Sequence, residues 1–235
     1  MPNPIYVIPD IHGHKDKLDH ALSLIAADGG GPVVFLGDYV DRGPDSCGVL
    51  QVLVDGLAAG QDWTLLRGNH DQLMLNALTH LRNHPDAPRE DIRWLSYKSG
   101  AREALLSYGV SPGDPAKDIL SAIPSTHLTL LADTRLSHQT PDLIFAHAGI
   151  RPGIALVDQT PEDLMWMREP FLSDTSDHGR LVVHGHSPVM FPEHHGNRIA
   201  LDGGAGWDRD LHVAVFEGRS CWLLDEGGRQ PLVPG

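Results

Sequence analysis

The chain has 235 residues, with 31 acidic and 18 basic side chains and a formal charge of −13. That charge repels nucleic-acid backbone and anionic membrane, so neither is expected as a partner. Two cysteines, Cys47 and Cys221, with no CxxC spacing argue against a disulfide framework and a thiolate-rich zinc site. No apolar run approaches the about 20 residues that a membrane span needs. The N-terminus has neither a basic leader nor a long apolar run, so a cytoplasmic setting is expected.

The first strand is expected at Ile5-Tyr6-Val7-Ile8, which runs into Pro9-Asp10-Ile11-His12-Gly13-His14. Asp10 and His12 are two apart, so extended backbone points both to one side. A carboxylate beside an imidazole at a strand end suits a divalent metal. An amphipathic helix is predicted over 17–27, on Leu18, Leu22, Leu24 and Ile25. The cluster Asp28-Gly29-Gly30-Gly31-Pro32 ends it.

Pro32-Val33-Val34-Phe35-Leu36 reads as a buried strand. Gly37-Asp38-Tyr39-Val40-Asp41-Arg42-Gly43 follows on a tight turn. Burying its two acids is costly unless cations pair with them. A helix over 46–57 and a strand over 62–66 come next, then Arg67-Gly68-Asn69-His70-Asp71 and a helix over 72–81. A solvated polar turn would explain any one of these strand ends. Polar ligands at three successive strand ends are better explained by a site, since open α/β sheets form sites there.

The stretch 82–138 shows helical pieces at 92–97, 101–108, 116–120 and 126–132, broken by Pro and Gly, with no catalytic constellation. It reads as a helical cap or insertion within one domain spanning 1–235. Its His80, His84, His127 and His138 read as solvated or packed, and His14 as solvated. A strand over 142–146 ends at His147-Ala148-Gly149, and one over 180–183 ends at His184-Gly185-His186. Between them Asp158 and Thr160 are helix-cap candidates before Pro161. Arg198-Ile199-Ala200-Leu201 leads into Asp202-Gly203-Gly204, and 211–216 with 220–224 reads as a closing hairpin.

Five motifs in this order resemble the phosphoprotein phosphatases, a family of dinuclear metallophosphoesterases. They are Asp10-Ile11-His12-Gly13, the heptapeptide 37–43, Gly68-Asn69-His70-Asp71, His147-Ala148-Gly149 and Gly185-His186. The run 145–153 and Trp166-Met167-Arg168-Glu169 resemble its bacterial serine/threonine phosphatase branch. The resemblance implies an α/β calcineurin-like fold: a central β-sandwich of two mixed sheets flanked by helices. It implies Asp10 and His12 on a first metal, Asp38 bridging, and Asn69, His147 and His186 on a second. Oxygen and imidazole ligands suit Mn²⁺, Fe or Zn²⁺. Arg42 and Arg168 would clamp the phosphoryl group, and His70, oriented by Asp41, would protonate the leaving oxygen after attack by a metal-bridging hydroxide.

The implied activity is hydrolysis of phosphoserine or phosphothreonine in a phosphoprotein or phosphopeptide. The alternative is symmetrical dinucleoside tetraphosphate hydrolysis. Asp71, where protein phosphatases commonly carry Glu, favours that sister branch, whereas the Asp41-Arg42 pair favours the phosphatases. Pro9, where the family usually has Gly, is expected to alter the turn and not the ligands. A non-catalytic phosphate-binding scaffold predicts a lost ligand or acid, and none is missing. Weaker candidates are His184, Arg151 and Asp202, the last as a partner for a metal-binding histidine.

Overall fold

The computed structural model describes residues 4–95 and 99–235. Its first third alternates β1 (Ile5–Ile8), α1 (Lys15–Ala27), β2 (Val33–Phe35), α2 (Ser46–Ala58), β3 (Trp63–Leu65) and α3 (Asn69–Asn83). β1 pairs in parallel with β2, and β2 with β3, as the strand–helix–strand order requires. α3 begins three residues before the predicted start, so Asn69 and His70 sit on its first turn.

Two 3-10 turns, Arg89–Asp91 and Arg93–Leu95, follow α3, then α4 (Ala101–Ser107), α5 (Ala116–Ala122) and α6 (Ser125–Asp133). The helix predicted over 92–97 is a 3-10 turn in its described part, and residues 96–98 lie outside the described residues. Pro88 and Gly100 hem this run, and so short a helix gains little from its own hydrogen bonds.

β4 (Ser137–Gln139), β5 (Leu143–Ala146), α7 (Pro161–Trp166), β6 (Leu181–His184), β7 (Glu193–His194) and β8 (Arg198–Ala200) build a second layer. Thr160 caps α7 by accepting from the Asp163 N–H at 3.1 Å, whereas Asp158 belongs to the preceding 3-10 turn. β9 (Val213–Glu217), β10 (Ser220–Asp225) and β11 (Gly228–Leu232) return to the first sheet. The strand orders are β11-β10-β9-β1-β2-β3 and β4-β5-β6-β8-β7. Both sheets are mixed: the first is parallel over β1-β2-β3 and antiparallel over β11-β10-β9-β1, and the second is parallel over β5-β6-β8 and antiparallel at both edges.

The sheets pack face to face. Val7, Val34 and Leu36 of the first meet Phe145, Val183 and Ile199 of the second. The rings of Phe145 and Phe216 cross at 6.3 Å and 88°. On the outer face of the first sheet, Ile8 and Phe35 pack under Leu18, Leu50 and Met74 of α1–α3. On the outer face of the second, Ile144 and Val182 pack under Leu164 of α7. This is the expected sandwich of two mixed sheets flanked by helices. Among the described residues, no helix is long and apolar enough to cross a membrane.

Phe145 is fully buried between the sheets. Phe145→Ala should lower the unfolding free energy in urea by about 3–5 kcal/mol with little change in the slope.

Candidate active site

The loops that follow β1, β2 and β6 are locally strained. Six non-glycine residues among those described have positive φ. Five of them are predicted site residues: His12 (48°), Asp38 (53°), Asp41 (75°), Arg42 (66°) and His186 (62°). Such conformations are uncommon for side-chain-bearing residues and gather where the surroundings over-determine them. Asp10 follows β1 and His147 follows β5, while Asn69 and His70 open α3 after β3.

Asp38 sits at the centre. Its Oδ2 lies 3.5 Å from His12 Nε2 and 3.5 Å from His147 Nε2. Its Oδ1 accepts from the His70 N–H at 2.9 Å. His12 Nδ1 donates to Val40 O at 2.8 Å, and His147 Nδ1 donates to Leu36 O at 3.0 Å. Each bond fixes the tautomer and leaves an Nε2 lone pair aimed at Asp38. Asn69 Oδ1 also lies 3.0 Å from His147 Nε2. Asp38 Oδ2, His147 Nε2 and Asn69 Oδ1 thus converge without a proton between them, which is the arrangement a cation satisfies.

Two groups, His12–Asp38–His70 and Asp38–His147–His186, have ligand atoms within 4.8 Å of one another, and Asp38 is common to both. Asp10 stands beside them. Both its oxygens accept from the His186 N–H, at 3.0 and 2.8 Å, and His147 Nδ1 is 3.8 Å away. Burial pushes the imidazolium forms of His12 and His147 down and brings His186 to about 3, so all three present neutral nitrogens. Burial, with Asp202 and Asp38 nearby, pushes the Asp10 carboxyl well up. Carboxylate, amide and imidazole donors without thiolate fit a borderline divalent ion.

Beside this cluster, His70 Nδ1 donates to Asp41 Oδ2 at 2.6 Å. Burial alone would lower the His70 pKa, but Asp38 and the Asp41 bond outweigh it and raise it. Arg42 reaches His12 Nε2 with Nη1 at 2.7 Å and His70 Nε2 with Nη2 at 3.0 Å. Sequence reasoning missed Trp94. Its Nε1–H reaches both oxygens of Asp41, at 2.9 and 3.0 Å. The stretch 82–138 therefore does touch the predicted site. No local motif announces this, because 53 positions separate the two residues.

Asp71 is fully buried and accepts from the N–H groups of Gly68, Asp38 and Tyr39 at 2.9–3.0 Å. Burial and the Asp38 charge push it up to about 7, against those three bonds. It fastens the β2 loop to the start of α3 and does not line the cleft. Arg151 is held by Asp163, with Nη2 2.5 Å from Oδ1. His184 packs against Phe171 and Arg198. Asp202 accepts from Gly204 N–H at 2.9 Å, a turn contact. His14, expected to be solvated, is buried at the start of α1. His127 is buried too, donating to Gln51 and accepting from Tyr108.

Asp38, Arg42, Asn69, His70, Trp166, Arg168, His186, Pro188 and Trp207 line one cleft of about 460 Å³. Trp207, also unforeseen, carries the Arg42 guanidinium 4.6 Å from its ring centre. The calcineurin-like phosphoesterase family model matches residues 3–213. This chain belongs to the calcineurin-like phosphoesterases. Serine/threonine-protein phosphatase 1 of Salmonella typhimurium is 39% identical over 91% of this chain and 92% of its own length. The symmetrical bis(5'-nucleosyl)-tetraphosphatase of Delftia acidovorans is 28% identical over 63% of this chain, which spans 57% of that enzyme's length. Among solved structures, a candidate diadenosine tetraphosphatase matches with a TM-score of 0.68 at 21% identity, covering 100% of this chain and 97% of its own. A cold-active protein tyrosine phosphatase matches at 0.69 and 17%, covering 100% and 80%. The family implies divalent metal ions, and the converging acceptors around Asp38 fit them.

Trp94→Phe removes the Nε1–H contacts to both oxygens of the buried Asp41. Unfolding free energy should fall by about 1–3 kcal/mol in denaturant titration, more than the lost volume explains.

Proposed function

We propose that this metallophosphoesterase is a serine/threonine protein phosphatase, taking phosphoserine or phosphothreonine from phosphoproteins. The observation that carries the reading is the Asp41–His70–Arg42 arrangement at the cleft, in a chain alike to a serine/threonine phosphatase over nearly its full length.

Asp10, His12, Asp38, Asn69, His147 and His186 would hold two divalent ions, of which Mn²⁺ is our first choice, with Fe or Zn²⁺ as alternatives. When bound, these ions supply positive charge against the phosphoryl oxygens and acidify the attacking water. Everything else falls to the side chains. A phosphoryl oxygen binds a guanidinium better than a neutral imidazole does. The substrate therefore draws Arg42 away from His12 and His70, and Arg168, which lines the same cleft, binds a further phosphoryl oxygen. His70 Nε2 is then free to carry a proton. Its Nδ1–H stays on Asp41, which orients the ring and stabilises the imidazolium. His70 gives the Nε2 proton to the departing serine or threonine oxygen. No phosphorylated protein side chain is required.

The second reading is symmetrical dinucleoside tetraphosphate hydrolysis. It is supported by the Delftia acidovorans relative and by the structural likeness to a candidate diadenosine tetraphosphatase.

His70→Asn should lower the rate by about 10²–10⁴ while metal content, measured by elemental analysis, is retained. Near-normal turnover would remove His70 from the acid role. A side-by-side assay with added Mn²⁺ separates the two substrate readings. Phosphate release from a phosphoserine peptide, with diadenosine tetraphosphate untouched, is the expected result. Nucleoside diphosphate as the main product would transfer the chain to the second reading.

A further inference from the structure

The segment joining α3 to α4 reaches the cleft through two adjacent residues. Trp94 turns inward to Asp41. Arg93 turns outward, and its guanidinium carbon lies 4.4 Å from the ring centre of Trp166. Trp166 lines the cleft, and its ring meets that of His186 edge-on at 6.2 Å. Arg93 is therefore one ring removed from the proposed metal ligands. It is not among the cleft-lining residues that include Arg42 and Arg168.

Arg93 is exposed, and among the described residues it makes no ion pair. Its recorded contact is the indole face, which consumes none of its five N–H donors. The indole restrains the side chain, so less freedom is lost when it takes an anion. In a chain of net charge −13, three guanidiniums gather around one cleft. Two of them suffice for the scissile phosphoryl group. The third offers charge beyond it.

We propose that Arg93, seated on Trp166, forms an anion subsite at the cleft rim. It takes a second negative group, a carboxylate or a phosphate, on the peptide flanking the scissile phosphoserine. Arg93 is thus a specificity-determining residue. The choice of a peptide rests on the phosphatase reading above; the subsite itself does not.

The test uses three phosphoserine peptides that differ only in their flanking residues: glutamate, glutamine or a second phosphoserine. Each is measured as a competitive inhibitor of p-nitrophenyl phosphate hydrolysis by the full chain loaded with Mn²⁺. The unaltered protein should bind the glutamate peptide about two- to fivefold tighter than the glutamine peptide, the range of an exposed ion pair. That ratio should shrink with added salt. Arg93→Ala should bring the ratio to one, and Arg93→Lys should keep part of it. A larger gain for the second phosphoserine than for glutamate would identify phosphate as the preferred second group. The proposal is overturned if the unaltered protein shows no preference, or if Arg93→Ala keeps it whole. Peptides that inhibit without losing phosphate would refute the phosphatase reading while still measuring the subsite.

Discussion

The centre of the molecule is held by the hydrogen bonds of one residue, Asp38. Its carbonyl accepts from Ile11 and His12, its amide donates to Asp71, and its Oδ1 accepts from the amide of His70. One residue thus ties the β1 loop, the β2 loop and the first turn of α3 together. Oδ2 remains for His12 and His147, one from each sheet. The cost is a left-handed backbone at Asp38 and tight space around it. A Cβ on Gly68 would lie 2.1 Å from Asp38 Oδ1, and one on Gly37 would lie 2.4 Å from the Gly68 amide. Both positions therefore require glycine, and the motif spacing is a packing requirement as well as a chemical one.

The same convergence sets an electrostatic constraint. Asp10, Asp38, Asp41, Asp71 and Asp202 are all buried within one region, with Arg42 the guanidinium among them. Buried carboxylates that face one another cost free energy unless they are protonated, hydrogen-bonded or paired with cations. Asp71 spends its acceptors on three backbone amides and Asp41 on His70 and Trp94. Among the described residues, Asp38 Oδ2 faces the Nε2 atoms of His12 and His147, whose protons sit on Nδ1, and accepts no hydrogen bond. A cation held there would relieve this and stabilise the folded chain by binding it in preference to the unfolded one.

How much of this was legible in the sequence depended on the distance over which each feature acts. Strands β1, β2, β5 and β6 announce themselves as short apolar runs because both their faces are covered. The proposed strand-end ligands follow directly, since each is a few residues from its strand. β4, β7 and β11 were not legible. Ser137-His138-Gln139, Glu193-His194 and Gly228-Arg229-Gln230-Pro231 are polar edge strands held mainly by backbone pairing. The early start of α3 was hidden because Asn69 and His70 read as a metal ligand and a general acid in a loop. Trp94 and Trp207 were missed because their partners, Asp41 and Arg42, are distant in the chain. Left-handed conformations at His12, Asp38 and His186 likewise arise from tertiary bonds, not from local preference.

Asp71 shows why a motif residue can track a substrate branch without touching substrate. Its carboxylate is buried beneath the β2 loop and positions Asp38 and Tyr39 through their amides. A longer Glu there would act by shifting that loop, since it would reach the same amides from one methylene further away. On the reading proposed here, selection between a phosphoprotein and a dinucleotide falls to groups at the cleft surface: Trp166, Trp207, Arg168 and the Arg93 that rests on Trp166. These lie at the end of α7 and on the loop after it, on the turn after β8 and on the segment after α3, all outside the strands that lead to the proposed metal ligands. The proposed chemistry is thus anchored to the rigid sandwich and the proposed choice of substrate to its connections, which is where change is tolerated without disturbing Asp38.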